Sequence, residues 1–126
     1  MAAGKYDFTI EQGSTTAIQF ILKDGNGNLI DITGYSARMQ LRESLDAIAV
    51  ICDLSSSLQA DGSGLMLNGI SQDLPLTSGS IGLYISAATS SAFTFNAARY
   101  ALELTQGSYV NRVIQGTIRL DKEVVR

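Results

Sequence analysis

Carboxylates that lie close together in the sequence are the first residues of this 126-residue chain that could do chemistry. Two acids can act as general acid and base when they face each other across a cleft in different environments. The pairs here lie in or beside predicted turns or near the end of the chain: Asp24 with Asp31, Glu43 with Asp46, and Asp121 with Glu123. We therefore interpret them as solvated surface carboxylates.

The candidate nucleophiles are the serines, the threonines and one cysteine, and each needs a base within hydrogen-bond reach. The chain has no histidine, which excludes Ser-His-Asp and Cys-His relays and zinc sites built on imidazole. No serine stands three residues before Lys5, Lys23 or Lys122, so the S-x-x-K arrangement is missing too. Cys52 lies in an apolar run, where we expect a small buried hydrophobic residue. We predict no catalytic residues and no enzymatic activity.

The segment Asp24-Gly25-Asn26-Gly27-Asn28 has the D-x-N-x-N spacing that opens a calcium-binding loop. The glycine that should follow is Leu29, and the glutamate expected at the twelfth position is Tyr35. We interpret the segment as a hairpin turn, with a weak calcium site as the alternative. No metal or cofactor site is predicted.

Length and composition limit the classes of partner. The chain has room for one domain, which we place over residues 1–126. A net charge of −3 argues against nucleic-acid binding, for which a basic surface is expected. The longest apolar run, residues 47–52, is too short to cross a membrane. A single cysteine and no export signal at the amino terminus predict a protein made in a cytoplasm.

Alternation of apolar and polar residues is the dominant pattern, and turn residues fall between the alternating segments. It predicts about seven short strands, over residues 6–11, 18–23, 35–42, 48–54, 81–86, 100–105 and 114–121. One short helix is predicted over 86–93, with Ser86 as its cap. Many short strands with regular turn signals indicate an all-β fold, an immunoglobulin-like β-sandwich of about seven strands with one short helix.

Two features of these strands indicate interaction surface. Arg38, Gln40 and Arg42 project from the same face of one predicted strand; they form either an ordinary solvated sheet face or a docking stripe for carboxylates of a neighbouring subunit. Ile21 and Ile51 point away from the main apolar faces of their strands, so the fold either covers both sides there or leaves apolar surface for a partner.

The order of residues in two regions resembles a family of small β-sandwich virion proteins of tailed bacteriophages. The first region runs from 6–13, YDFTIEQG, into 23–42, KDGNGNLIDITGYSARMQLR; the second joins 100–104, YALEL, to 113–118, VIQGTI. The family includes domains found at the start of baseplate and tail-fibre proteins. Residues 46–76 match nothing in it.

The resemblance implies a non-enzymatic structural component of a virion that is assembled in the bacterial host cytoplasm and binds other virion proteins. Because the chain ends at Arg126 without a receptor-binding region, we expect a tail or baseplate adaptor or a fibre-attachment protein that forms a homo-oligomer or ring. The alternatives are a capsid decoration protein and a carbohydrate-binding adhesion module. For the latter, only Tyr84 and Tyr109 are predicted to be free of the core for stacking on sugars.

Overall fold

A computed structural model of the chain describes residues 4–44 and 46–122. These residues form nine strands, one α-helix and a single 3₁₀ turn at Leu76–Ser78. In chain order the elements are β1 (Gly4–Lys5), β2 (Phe8–Glu11), β3 (Thr16–Ile21), β4 (Ser36–Arg42), β5 (Cys52–Ser55), β6 (Gly64–Met66), β7 (Ser80–Ile85), α1 (Ala87–Ser91), β8 (Ala97–Gln106) and β9 (Tyr109–Asp121).

The strands form two sheets that pack face to face. The larger sheet has the order β1-β9-β8-β4-β5, with β2 following β1 along the same side of β9, and the smaller has the order β3-β7-β6. β1 and β2 run parallel to β9, and all other described neighbours are antiparallel. This arrangement confirms the predicted all-β sandwich, and its pairing agrees with the immunoglobulin order of strands.

The inner faces of both sheets supply one hydrophobic core. Met39 and Leu41 of β4 are fully buried, and so are Ile81, Leu83 and Ile85 of β7. Their spacing of two residues puts them on one side of each strand, as the alternation in the sequence predicts. Burial of these aliphatic side chains between the sheets fixes which side of β4 faces outward.

The predicted short helix is confirmed. Ser86 caps it, with its hydroxyl accepting a hydrogen bond from the Thr89 amide at 3.1 Å. The Asp61 carboxylate accepts hydrogen bonds from the Ser86 and Thr89 hydroxyls at 2.5 and 2.6 Å. The loop between β5 and β6 is thereby fastened to the start of the helix.

The predicted strand over 6–11 is confirmed only as β2 (Phe8–Glu11), while β1 (Gly4–Lys5) before it was not predicted, and the two residues between them lie against Gly116 of β9. A Cβ atom at Gly116 would lie 2.1 Å from the Tyr6 carbonyl oxygen, so the link between β1 and β2 approaches β9 where β9 has no side chain. Asp7 then accepts a hydrogen bond from the Thr117 amide at 2.9 Å. The Tyr100 hydroxyl donates to the Tyr6 carbonyl and so ties the link between β1 and β2 to β8.

The predicted strand over 48–54 is wrong in its first half. β5 begins at Cys52, and Ile48 is 95% exposed. The Arg42 guanidinium donates hydrogen bonds to the carbonyls of Ala47 and Ile48 at 2.8 and 2.7 Å, so these carbonyls do not enter a strand ladder. β6 was not predicted because three residues are too few to show a period.

Candidate protein-contact face

The three residues singled out in the sequence share one exposed surface. Arg38, Gln40 and Arg42 point outward from β4, since the residues between them face the core. Two of the three are partly covered by neighbouring side chains, and Arg38 is exposed. The structure therefore brings the predicted candidates together on the outer face of the larger sheet.

Neighbouring strands add further charges to this surface. Arg38 lies opposite Glu103 of β8, and Glu103 in turn lies opposite Arg112 of β9. Two outward positions further along the sheet, beyond Gln40, Arg42 lies opposite Arg99 of β8. We call this surface the arginine face and define it by Arg38, Gln40, Arg42, Arg99 and Arg112.

A β-bulge brings Arg112 onto the arginine face. The register of β8 and β9 shifts between Leu102 and Glu103, which pair with Ile114 and Arg112, so Val113 is an extra residue in β9. The bulge leaves both Val113 and Ile114 buried. Without it, strict alternation from Ile114 would turn the Arg112 side chain toward the core.

A small residue creates a depression in the middle of the arginine face. Ala101 lies opposite Gln40 on one side and Gln115 on the other, so its methyl group is surrounded by longer side chains. The depression has a volume of about 400 Å³. Its charged lining residues, within the described part of the chain, are Lys5, Arg38, Arg42, Arg99, Arg112 and Glu103.

The charge of the arginine face is compensated at one end. Arg38 forms an ion pair with Asp53 of β5 at 3.2 Å, the single ion pair among residues 4–44 and 46–122. The hydrogen bond from Arg38 lowers the pKa of the Asp53 carboxyl, with a smaller contribution from Gln40. Asp53 likewise raises the pKa of Arg38. Both groups are largely solvated, so this pair contributes little to stability.

The other end carries two arginines side by side. Arg42 donates to the Gln40 side-chain oxygen at 3.1 Å in addition to the two loop carbonyls described above. Arg99 donates to the Thr117 hydroxyl at 3.2 Å. All these acceptors are uncharged, and like charges directly opposite each other destabilise a sheet. This end of the arginine face offers guanidinium groups that suit bidentate binding of a carboxylate.

Sequence reasoning missed Arg99, Arg112 and Lys5. The predicted alternation over 100–105 places Ala101 and Glu103 outward, and extending it by one residue would have added Arg99. Arg112 could not be found in this way because a bulge reverses the phase. Lys5 joins the surface through the parallel pairing of β1 with β9, opposite Gln115.

The other candidate groups lie apart from the arginine face. Asp24 accepts hydrogen bonds from the backbone amides of Asn26 and Asn28 and so closes the predicted hairpin turn. Cys52 is half-buried beside the core, and burial raises the pKa of its thiol to about 11. The thiol is therefore protonated at neutral pH and a weak nucleophile.

The outward isoleucines and the two tyrosines differ in exposure. Ile21 is 56% exposed, whereas Ile51 packs against the core. Tyr84, predicted to be free of the core, is half-buried next to Gly62. Tyr109 is 60% exposed where the β8–β9 hairpin turns.

Comparison with protein-family models finds no match, and comparison with curated proteins finds no similar sequence. Among the described residues, no helix has the length and apolar character needed to span a membrane. In the same residues, no group of three or more metal-binding side chains comes together.

Proposed function

We propose that the protein is a non-enzymatic structural component of a bacteriophage virion, acting through protein–protein contacts as a tail or baseplate adaptor or a fibre-attachment protein. The arginine face is its contact surface. The resemblance to small sandwich proteins of tailed phages supports the class of protein. The observation that carries the proposal is the open outer face of the larger sheet, where arginines on three adjacent strands surround a shallow depression.

The arrangement of the face suits a protein partner better than a sugar. Carbohydrate-binding surfaces stack aromatic rings on the sugar, but the side chains that surround this depression are mainly arginine and glutamine. The aromatic residue in the described lining, Tyr100, is buried and donates its hydroxyl to the Tyr6 carbonyl between β1 and β2. Arginine is enriched at protein interfaces, and open sheet edges allow subunits to repeat around a ring.

The proposal is tested on particles produced by the phage or prophage whose genome encodes the chain. Particles are purified by density gradient and analysed by quantitative mass spectrometry and by gold-labelled antibody in the electron microscope. We expect a fixed copy number per particle and label at the tail end. Presence in the lysate but absence from intact particles would contradict the proposal, and an abundant host cytoplasmic protein serves as the contamination control.

A further inference from the structure

We infer that the arginine face binds an acidic segment of a partner protein, with one carboxylate held between Arg42 and Arg99. This inference rests on the proposed function, because it names the chemistry of the partner at the same surface. Charge and geometry carry it: two guanidinium groups lie directly opposite each other on adjacent strands, beside a depression that residues 4–44 and 46–122 leave open.

The distribution of charge selects this end of the face. In the row of Arg38, Glu103 and Arg112, the two arginines have Asp53 and Glu103 as acidic neighbours. The row of Arg42 and Arg99 continues to Thr117, which is uncharged. An incoming carboxylate therefore gains most at the row of Arg42 and Arg99, because neither guanidinium forms an ion pair within residues 4–44 and 46–122 and Asp53 attracts Arg42 only from a longer distance than it attracts Arg38.

The geometry holds part of this site in place before a partner arrives. Three hydrogen bonds fix the Arg42 guanidinium, two to loop carbonyls and one to Gln40. A donor that is already ordered loses less conformational entropy when it binds. Ala101 leaves room beside Arg42, because its side chain is a single methyl group.

The same surface is poorly suited to polyphosphates. Glu103 lies in the lining of the depression and Asp53 beside it, so a densely charged nucleic-acid backbone would meet two carboxylates. The chain as a whole carries a net charge of −3, which repels nucleic acid at longer range. A protein segment with separated carboxylates can place one at the row of Arg42 and Arg99 and keep the others away from the row that contains Glu103.

The test uses the full chain and two synthetic probes. One is a fluorescent dodecapeptide that repeats Gly-Glu-Ser-Glu, and the other has glutamine in place of every glutamate. Binding is followed by fluorescence anisotropy at low salt, with arginine side-chain NMR signals as a second readout. We expect the glutamate peptide to bind and to shift the Arg42 and Arg99 signals, and the glutamine peptide to bind at least about tenfold more weakly.

Variants locate the site. Arg99→Gln should weaken binding about tenfold, because it removes a charge-assisted hydrogen bond, and Arg42→Gln should do so at least as strongly. Glu103→Gln should tighten binding about threefold, since it removes a like charge from the lining. Lys23→Gln is the matched control, because Lys23 lies on the exposed turn beside β3, outside the depression. Circular dichroism verifies that each variant is folded.

The outcomes separate this inference from the proposed function. Equal binding of the two peptides, equal loss with Lys23→Gln and Arg99→Gln, or tighter binding of a (dT)₁₂ oligonucleotide than of the glutamate peptide would each overturn the inference. None of these results bears on whether the chain occurs in virions. Conversely, specific glutamate binding by a chain absent from purified particles would overturn the proposed function and leave the carboxylate site standing.

Discussion

The outer faces of both sheets have a small residue in the middle strand, but one face is covered by the chain and the other is open among the described residues. Each sheet has a small residue in its middle strand: Gly82 in β7 of the smaller sheet and Ala101 in β8 of the larger. Over Gly82 the chain folds back, and residues Gly69 and Ile70 lie against it. Over Ala101 the described chain leaves a depression of about 400 Å³.

The cover over the smaller sheet is built by specific contacts. The Ile70 amide donates to the side-chain oxygen of Gln19 in β3 at 3.1 Å, and the Gln72 side chain donates to the sulfur of Met66 in β6 at 3.4 Å. Gly82 is buried on its outer side as a result. These contacts cover the outer face of the smaller sheet. The described residues leave the larger sheet open, with two arginines opposite each other on its outer face.

The largest expected effect comes from disturbing the cover. A Cβ atom at Gly82 would lie 2.7 Å from the Ile70 amide nitrogen and 2.9 Å from the Gly69 carbonyl carbon. Because both are backbone atoms, the covering segment must move, and we expect Gly82→Ala to lower the free energy of unfolding by about 2–3 kcal/mol. Urea denaturation followed by circular dichroism measures this change.

Ala101→Val is the matched substitution on the other face. It adds volume to an open depression and improves strand propensity, so its effect on stability should stay within about 0.5 kcal/mol. It should nevertheless weaken binding of the glutamate peptide by filling the space beside Arg42. If the two substitutions destabilise the protein equally, the contrast between a covered and an open face is wrong.

The second prediction concerns acid stability, which should depend on Asp61 more than on Asp53. Hydroxyl hydrogen bonds from Ser86 and Thr89, with the Ser63 amide, hold the pKa of Asp61 well below its ordinary value. A lowered pKa gives stability that is fully present above the ordinary value of about 3.9. That stability is lost as the pH falls from there through the pKa of the folded state.

Asp61→Asn should therefore lower stability at pH 7 and reduce its further loss between pH 4 and roughly pH 2, because the variant has no carboxylate to protonate there. Asp53→Asn is the control from the arginine face, where the pKa is lowered by an exposed ion pair with Arg38. Its effect should be smaller. Thermal unfolding at a series of pH values compares them, and a steeper acid loss in Asp61→Asn than in the wild type would contradict the assignment.

Local patterns in the sequence predict the parts of this fold that are set by neighbours in the chain. The outward side chains of β4 follow from alternation, and the helix follows from the cap at Ser86 and the alanines after it. The start of β5 could not be predicted, because Arg42, the last residue of β4, donates side-chain hydrogen bonds to two carbonyls of the loop that follows it, and alternation does not encode such a contact. An apolar run such as 47–52 has strand character by composition alone, and here the side-chain-to-backbone hydrogen bonds of Arg42 override it.

The candidate site divides in the same way. Arg38, Gln40 and Arg42 could be grouped from one strand, but the juxtaposition of Arg42 with Arg99 requires knowing that β4 pairs with β8 and in which register. The position of Arg112 depends further on a bulge at Val113, for which the sequence carries no glycine or other turn signal. Pairing and register are long-range properties, so single-sequence patterns locate members of the site and not their neighbours.

The smallest expected effect tests whether leaving the face open has a cost. If Arg42 and Arg99 repel each other, replacing either one with glutamine should remove that repulsion, and a double-mutant cycle should show a coupling of about 0.2–0.5 kcal/mol against folding. Salt screens exposed charges, so the coupling should vanish near 1 M NaCl. Arg42→Gln also removes the hydrogen bonds to the loop carbonyls. That loss occurs equally with and without Arg99, so it cancels from the coupling energy. A favourable coupling would mean that the two guanidinium groups stabilise the sheet together. In that case the opposed pair would be explained by folding alone, and the carboxylate site would have to stand on peptide binding without support from stability.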